Sequence, residues 1–331
     1  MPLLVDSFLE LSKMKLVAFA RSLWQRPREQ PNVKIPFLQL PAQLVGRIAT
    51  FLEPADKLLL AQTCRSIRMY LRMHSSMIYL SRADYFAYLA CLARELPKQW
   101  VCDYCMALHP IDKYDRPTNQ WCPRSCPVYA ELGFWCRGRL RSFYQIRLEH
   151  HHVQLALKYT RLQQRKYKSY LRALLQPYAK QPFNTGSSAT IAHETRYSTY
   201  PRIVAGRDGI PRFLLYSVWK YFAGGRDIVF QNLGDQRICP HLLFRDGNFS
   251  EDNNNLSQSF LWALNPENWG FECRNACPRC ATDFSVMLRG RNLYLQVWQD
   301  LGPEGSPLDL AWRSQTVRGG QRFPQVNYYF D

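Results

Sequence analysis

Between residues 35 and 75 the apolar positions recur at helical steps: Leu40, Leu44, Ile48, Phe51 and Leu52, then Leu58, Leu59 and Leu60 after the break at Glu53-Pro54-Ala55-Asp56, then Ile67 and Leu71. Pro41 suits a first helical turn. The spacing predicts three short helices, a trio that buries little surface alone and implies a partner. Upstream, Phe8, Leu11, Leu16, Phe19 and Leu23 predict an amphipathic helical extension over 1–34, stopped by Pro27 and Pro31. Downstream, 76–96 reads as a helix ended by Pro97, with Cys91 as a core residue. A basic helical region follows over 147–175. Beyond the polar loop at 184–188 the period changes from helix to strand. Segments 197–204 and 213–222 flank Gly206-Arg207-Asp208-Gly209, and 284–288 with 293–298 flank Arg289-Gly290-Arg291-Asn292, which predicts two β-hairpins. The expected fold class is therefore α+β: a helical extension at 1–34, a three-helix unit at 35–75, and a mixed helical and antiparallel β-hairpin domain at 76–331.

Composition sharpens this picture. Hydrophobic residues make up 47% of the 331 positions against 21% charged, which excludes wholesale disorder. A formal charge of +17 favours acidic proteins, nucleic acid or anionic membrane as neighbours. Lys158, Arg161, Arg165, Lys168 and Arg172 fall at steps of three and four, so a continuous helix would align them as one stripe able to hold an acidic target or a phosphate backbone. No apolar run is long enough for a membrane span, and Asp6 and Glu10 interrupt the apolar N-terminus, unlike a secretory signal. The expected location is cytoplasmic and/or nuclear, where cysteines are thiols or thiolate ligands.

Nine of the 11 cysteines fall in two groups. The first, Cys102-x2-Cys105 with Cys122-x3-Cys126, has zinc-ribbon spacing, and His109 or Cys136 could substitute for one ligand. The second holds Cys239-Pro240-His241, Cys273 and Cys277-Pro278-Arg279-Cys280; two short pairs make Cys239, His241, Cys277 and Cys280 the preferred ligands, with Cys273 spare. Four or more sulfur and imidazole donors per group predict closed structural zinc sites, two ions in all, rather than hydrolytic centres with an open position. His150-His151-His152 is a poorer metal motif, because adjacent helical residues point about 100° apart and all three cannot meet one ion. No Walker loop, dinucleotide fingerprint or nucleophile elbow is present, so no enzymatic chemistry is expected.

The run Leu40-Pro41-x2-Leu44-x3-Ile48-x2-Phe51-Leu52-x3-Asp56-x-Leu58-x-Leu60-x2-Thr63-Cys64-Arg65-x-Ile67-Arg68 resembles an F-box, with Gln43 standing where many F-boxes carry Glu. The resemblance implies that Leu40, Pro41, Leu44, Ile48, Leu58 and Leu60 form the Skp-adaptor contact and the helix core, with Cys64 packed inside. Arg94-Glu95-Leu96-Pro97, Cys102-x2-Cys105-x2-Leu108-His109, Tyr200-Pro201-Arg202-Ile203, Ile238-Cys239-Pro240-His241 and Cys277-x2-Cys280-x-Thr282-Asp283-Phe284 are similar to a group of fungal F-box proteins. What the resemblance implies is a non-catalytic substrate receptor of a Skp-cullin ubiquitin ligase with an unidentified protein target, for which the basic stripe suggests acidic character. The competing expectation, from the charge and the cysteine groups, is a zinc-containing nucleic-acid-binding protein.

Overall fold

A computed structural model describes residues 36–74, 80–119, 126, 146–180, 194–223, 227–230, 233, 236–244 and 255–316. The helical extension expected at 1–34 lies outside them, as do Cys122 and Cys136. The chain divides into two compact units at Leu89/Ala90, later than residue 75, and the boundary falls inside a helix.

The first unit holds a 3-10 turn, Pro36–Gln39, and helices α1 (Ala42–Thr50), α2 (Pro54–Thr63) and α3 (Arg65–His74). Pro41 is the N-cap of α1 rather than its first residue, while Pro54 opens α2. The core is small: Ala49, Ala61, Ile67 and Leu71, edged by Leu60 and Cys64. Cys64 is half-buried, and its sulfur accepts a hydrogen bond from the Ile67 amide at 3.4 Å. Val45 and Ala49 form the inward face of α1, so Leu44 and Ile48 point away from the unit's own core. Of the residues expected to form adaptor contact and helix core, these two are therefore not core residues: the helix is amphipathic, and its small residues face inward. The next helix, α4 (Arg82–Glu95), begins later than the expected start at 76, and Cys91 is exposed on it rather than buried in a core.

The second unit is built on a six-stranded antiparallel sheet in the order β3-β4-β5-β10-β9-β8. These strands are β3 (Tyr178–Lys180), β4 (Thr195–Ala205), β5 (Pro211–Phe222), β8 (Glu272–Ala276), β9 (Thr282–Arg289) and β10 (Asn292–Pro303). The β4-β5 and β9-β10 hairpins are the two the alternation predicts, with left-handed Gly209 and Gly290 in their turns. Pairing of β10 with β5 joins them into one sheet. Inward residues of β5, among them Phe213, Leu215, Trp219 and Tyr221, are all buried. Two cores lie side by side on that face. One packs Tyr197, Trp219, Val286 and Leu295 against α7 (Asn255–Leu264) through Leu256 and Phe260. The other packs Phe213, Leu215 and Leu301 against α5 (His150–Leu162), α6 (Lys168–Leu174) and α8 (Leu310–Thr316) through Leu155, Tyr170 and Trp312. Gly302 sits at φ +90° where a Cβ would lie 2.6 Å from Ala311, so only glycine lets α8 settle on the end of β10.

Helix α5 ends at Gln163, which is left-handed, and a 3-10 turn, Arg165–Tyr167, precedes α6. The expected five-residue basic stripe is therefore not one helical face. Lys158 is fully buried, its ammonium donating to the carbonyls of Gln99 (2.6 Å) and Leu96 (3.2 Å). Arg161 is half-buried and forked onto the Glu304 carboxylate at 2.8 and 3.2 Å. Only Arg165, Lys168 and Arg172 remain exposed. The partner-surface role expected of Lys158 and Arg161 is corrected accordingly: both cations are consumed within the fold.

Candidate metal centres

The first centre is carried by a two-stranded hairpin, β1 (Gln99–Cys102) and β2 (Ala107–Pro110). Cys102 closes β1, Cys105 lies in the connecting turn, and left-handed Met106 reverses the chain so that both sulfurs point to one side. His109 follows on β2, with its Nε2 2.9 Å from the Cys105 sulfur, and buried Cys126 completes the group. The ligand atoms of Cys102, Cys105, His109 and Cys126 all lie within 4.8 Å of one another. His109, expected only as a substitute, is thus a full member of the described set; Cys122 lies outside the described residues.

The second centre joins two turns distant in sequence. Strands β6 (Gln236–Arg237) and β7 (Leu243–Phe244) are linked by a tight turn bearing Cys239 and His241, closed by the Ile238 amide on the Leu242 carbonyl at 3.2 Å. The β8-β9 turn bears Cys277 and Cys280, closed by the Cys277 amide on the Thr282 carbonyl and the Thr282 amide on the Cys280 carbonyl, both at 2.8 Å. Cys239, His241, Cys277 and Cys280 come together within 4.8 Å, the preferred set of the sequence, while Cys273 sits on β8 outside the group. Nothing in the sequence pointed to the buried amides that hold these turns. Gln315 donates to the Ala281 carbonyl (2.9 Å), and Gln299 donates both to the Ile238 carbonyl (3.1 Å) and to Gln315 (2.9 Å), so one amide pair fixes the backbone beside Cys239 and beside Cys280.

Both donor sets, three sulfurs and one imidazole, fit a tetrahedral ion, whose neighbouring ligands at zinc distances stand about 3.5 to 3.8 Å apart. Their electrostatics ask for one. The Cys280 thiol is pushed up to about 11: a hydrogen bond with Cys239 lowers it, but the bond with Cys277 and burial outweigh that. Cys105 is pushed up to about 12, where its bond with Cys102 pulls down and Cys126, burial and the negative charge of Cys126 push up. Crowded sulfurs resist losing more than one proton, and a divalent cation removes that resistance.

A third cluster has different chemistry. Asp115, His151 and His152 meet with ligand atoms within 4.8 Å, and Arg147 and Glu149 adjoin them. The helical divergence argument holds for His150, which turns to the edge of Trp312, yet both neighbours reach Asp115 through Nε2, at 3.0 Å from His151 and 3.1 Å from His152. His152 is also the third residue of a capping box at the start of α5, and its Nδ1 accepts from the Glu149 amide at 3.2 Å. A neutral imidazole that accepts at Nδ1 carries its proton on Nε2, so Nε2 donates to Asp115 and has no lone pair for a metal. Arg147 also bonds the same carboxylate. Burial would raise Asp115, but the hydrogen bonds from His151 and His152 outweigh it and hold the carboxyl well below the usual range. Burial and the charge of His151 push His152 down to about 4, which keeps it neutral. The cluster is a buried hydrogen-bonded ion network. It contacts the first centre through Trp100, whose ring stacks on His151 (centroids 4.4 Å apart) and tilts against His109 (5.2 Å).

The chain is thus an α+β protein with two cysteine-histidine groups able to hold zinc. No helix among the described residues is long and apolar enough to cross a membrane. No family model, curated protein or solved structure matches this chain.

Proposed function

We propose that the chain is the substrate-receptor subunit of a Skp-cullin-F-box ubiquitin ligase, with residues 35–75 docking the Skp adaptor and the second unit selecting a target. The observation that carries this reading is the apolar stripe on α1: Leu44, Ile48 and Phe51 are 47%, 38% and 83% exposed, although the unit has a core of its own. Such a stripe on a small helical unit is a docking face. Leu40, Leu58 and Leu60 of the F-box resemblance are half-buried, Leu60 at the edge of the unit's core, and Pro41 is exposed at the start of α1. Phe51, the most exposed, belongs to the contact as well. The two cysteine-histidine groups would each hold a structural zinc that fixes a pair of turns. The chain contributes proximity between target and conjugating enzyme, and partner subunits carry the covalent chemistry.

The test is Leu44→Asp with Ile48→Asp. Both side chains face away from the unit's core, so helix content should hold, while adaptor and cullin vanish from the co-purified material because each apolar side chain is worth about 2 kcal/mol when buried. Undiminished recovery of the adaptor would overturn the assignment. Salt-sensitive retention on nucleic acid without any adaptor would favour a zinc-containing nucleic-acid-binding protein instead.

A further inference from the structure

Both cores of the second unit lie on one face of the six-stranded sheet, and the opposite face is built differently. Its outward residues alternate with the core positions on every strand: Arg196, Tyr200 and Arg202 on β4, Tyr216 and Lys220 on β5, Tyr294 and Trp298 on β10. Register places Tyr200 opposite Tyr216 and Tyr216 opposite Trp298, making an aromatic row across three strands. The rings are nearly parallel, 27° and 24° apart, with centroids at 5.9 and 5.3 Å. Those separations are too short for rings lying side by side in one plane, so they form an offset stack across the strands. Tyr200 and Trp298 are 38% and 40% exposed. Two residues along β4 to one side lies exposed Arg202. On the other side Arg196 and Lys220 sit over the Phe222 ring at 4.5 and 4.6 Å, and Lys220 also over Tyr294 at 5.3 Å.

The outward residues of the sheet include six cations (Arg196, Arg202, Arg212, Lys220, Arg274 and Arg289) and three acids (Glu272, Asp283 and Asp300). Two of the acids are spent on Arg212 (2.7 Å) and Arg274 (2.7 Å). Among the described residues, Arg202, Lys220 and Arg289 have no acidic partner. The face therefore combines an aromatic row, with exposed Asp283 opposite Trp298 at its end, and unneutralised cations on both flanks.

We infer that this open sheet face binds an extended acidic segment of a partner protein, with carboxylates of the segment meeting Arg202 and Lys220 across the Tyr200-Tyr216-Trp298 ridge. This deepens the receptor reading, and rests on it for taking that segment to be the ligase target. Charge complementarity selects an anionic partner, and the reduced stacking surface favours peptide over single-stranded nucleic acid. Base stacking needs open ring faces, and Tyr216 has a ring on each side, which leaves only the outer faces of Tyr200 and Trp298. A peptide in extended form repeats its same-side residues at about 6.8 Å, the same-face spacing of β4 and β5, so it can track the cations without needing ring faces.

The experiment uses the full chain and fluorescence anisotropy with a labelled 16-residue peptide of alternating Glu and Ala, its Gln-Ala counterpart, and a 16-nucleotide oligo-dT. The acidic peptide should bind, the Gln version should not, and binding should weaken as salt rises. Arg202→Gln with Lys220→Gln and Arg289→Gln should weaken it about tenfold, the usual worth of three exposed ion pairs. Arg165→Gln with Lys168→Gln and Arg172→Gln, on the exposed helical turns, should leave it unchanged. No binding of the acidic peptide, equal binding of the Gln peptide, or insensitivity to the sheet variant overturns the inference; tighter capture of oligo-dT overturns it in favour of nucleic acid. Adaptor co-purification is measured on the same preparations. Adaptor capture without peptide binding rejects the sheet face alone, and peptide binding without adaptor capture rejects the receptor reading alone.

Discussion

His152 makes this protein acid-sensitive in a way that can be assigned to one side chain. Buried and neutral in the fold, it titrates at about 4 against an ordinary value of 6.5. As pH falls below 6.5, the unfolded chain takes up a proton that the folded chain refuses, so the unfolded state binds more protons and stability drops. The contribution is fully present above 6.5 and is lost progressively down to about 4. At 1.36 kcal/mol per unit, the full loss is about 3 kcal/mol, of which about 2 kcal/mol has gone by pH ~5. His152→Gln keeps a donor toward Asp115, gives up the hydrogen bond from the Glu149 amide and cannot titrate. It should be less stable than the parent by about 1 kcal/mol at neutral pH, one net hydrogen bond. Urea unfolding at a series of pH values then gives the difference between the two proteins. That difference should close and reverse between pH ~7 and pH ~5, the parent losing about 2 kcal/mol more than the variant. Acid also protonates cysteine ligands and releases metal, but it does so in both proteins and cancels in the comparison. Parallel pH profiles for parent and variant would refute the claim that His152 is buried neutral.

Elemental analysis of purified protein should find close to two zinc ions per chain; Cys280→Ser should remove one, and His109→Ala or Cys105→Ser the other, whereas retention of both ions in His109→Ala would exclude its ligand role. Lys158→Ala should lower the urea midpoint strongly, since the Leu96 and Gln99 carbonyls lose their shared donor and each hydrogen bond to a charged group is worth about 1.5 to 3 kcal/mol. The exposed trio Arg165, Lys168 and Arg172 changed to Gln should leave thermal stability level, and equal effects of the two replacements would contradict the division between a buried cation and a solvated face.

Local physics was legible in the chain. Alternation with glycine turns marked both hairpins, because a strand's side-chain period and a positive φ are properties of a few neighbouring residues. The short pairs Cys102/Cys105, Cys239/His241 and Cys277/Cys280 marked the candidate centres for the same reason, since each of these turns is closed by its own backbone. Helical periodicity marked α1 as amphipathic. Which face of α1 would pack was another matter: Val45 and Ala49 go inward while Leu44 and Ile48 stay exposed, and a period carries no record of which face meets a neighbour. The basic stripe failed for a related reason. Spacing treats five cations alike, but Lys158 is decided by carbonyls at Leu96 and Gln99, and Arg161 by Glu304 from the far end of the unit. The same holds for the histidine triplet, where divergence along one helix was sound reasoning, yet Asp115, 36 and 37 residues earlier, gathers two of the three. The open aromatic and basic face exists only because β5 pairs with β10 and brings Trp298 beside Tyr216. Residue type and short spacing therefore determined the elements, the turns and the metal-binding chemistry. Long-range packing alone decided which charges are spent inside the fold and which remain for a partner, because burial and neutralisation depend on groups that meet only when distant segments close on one another.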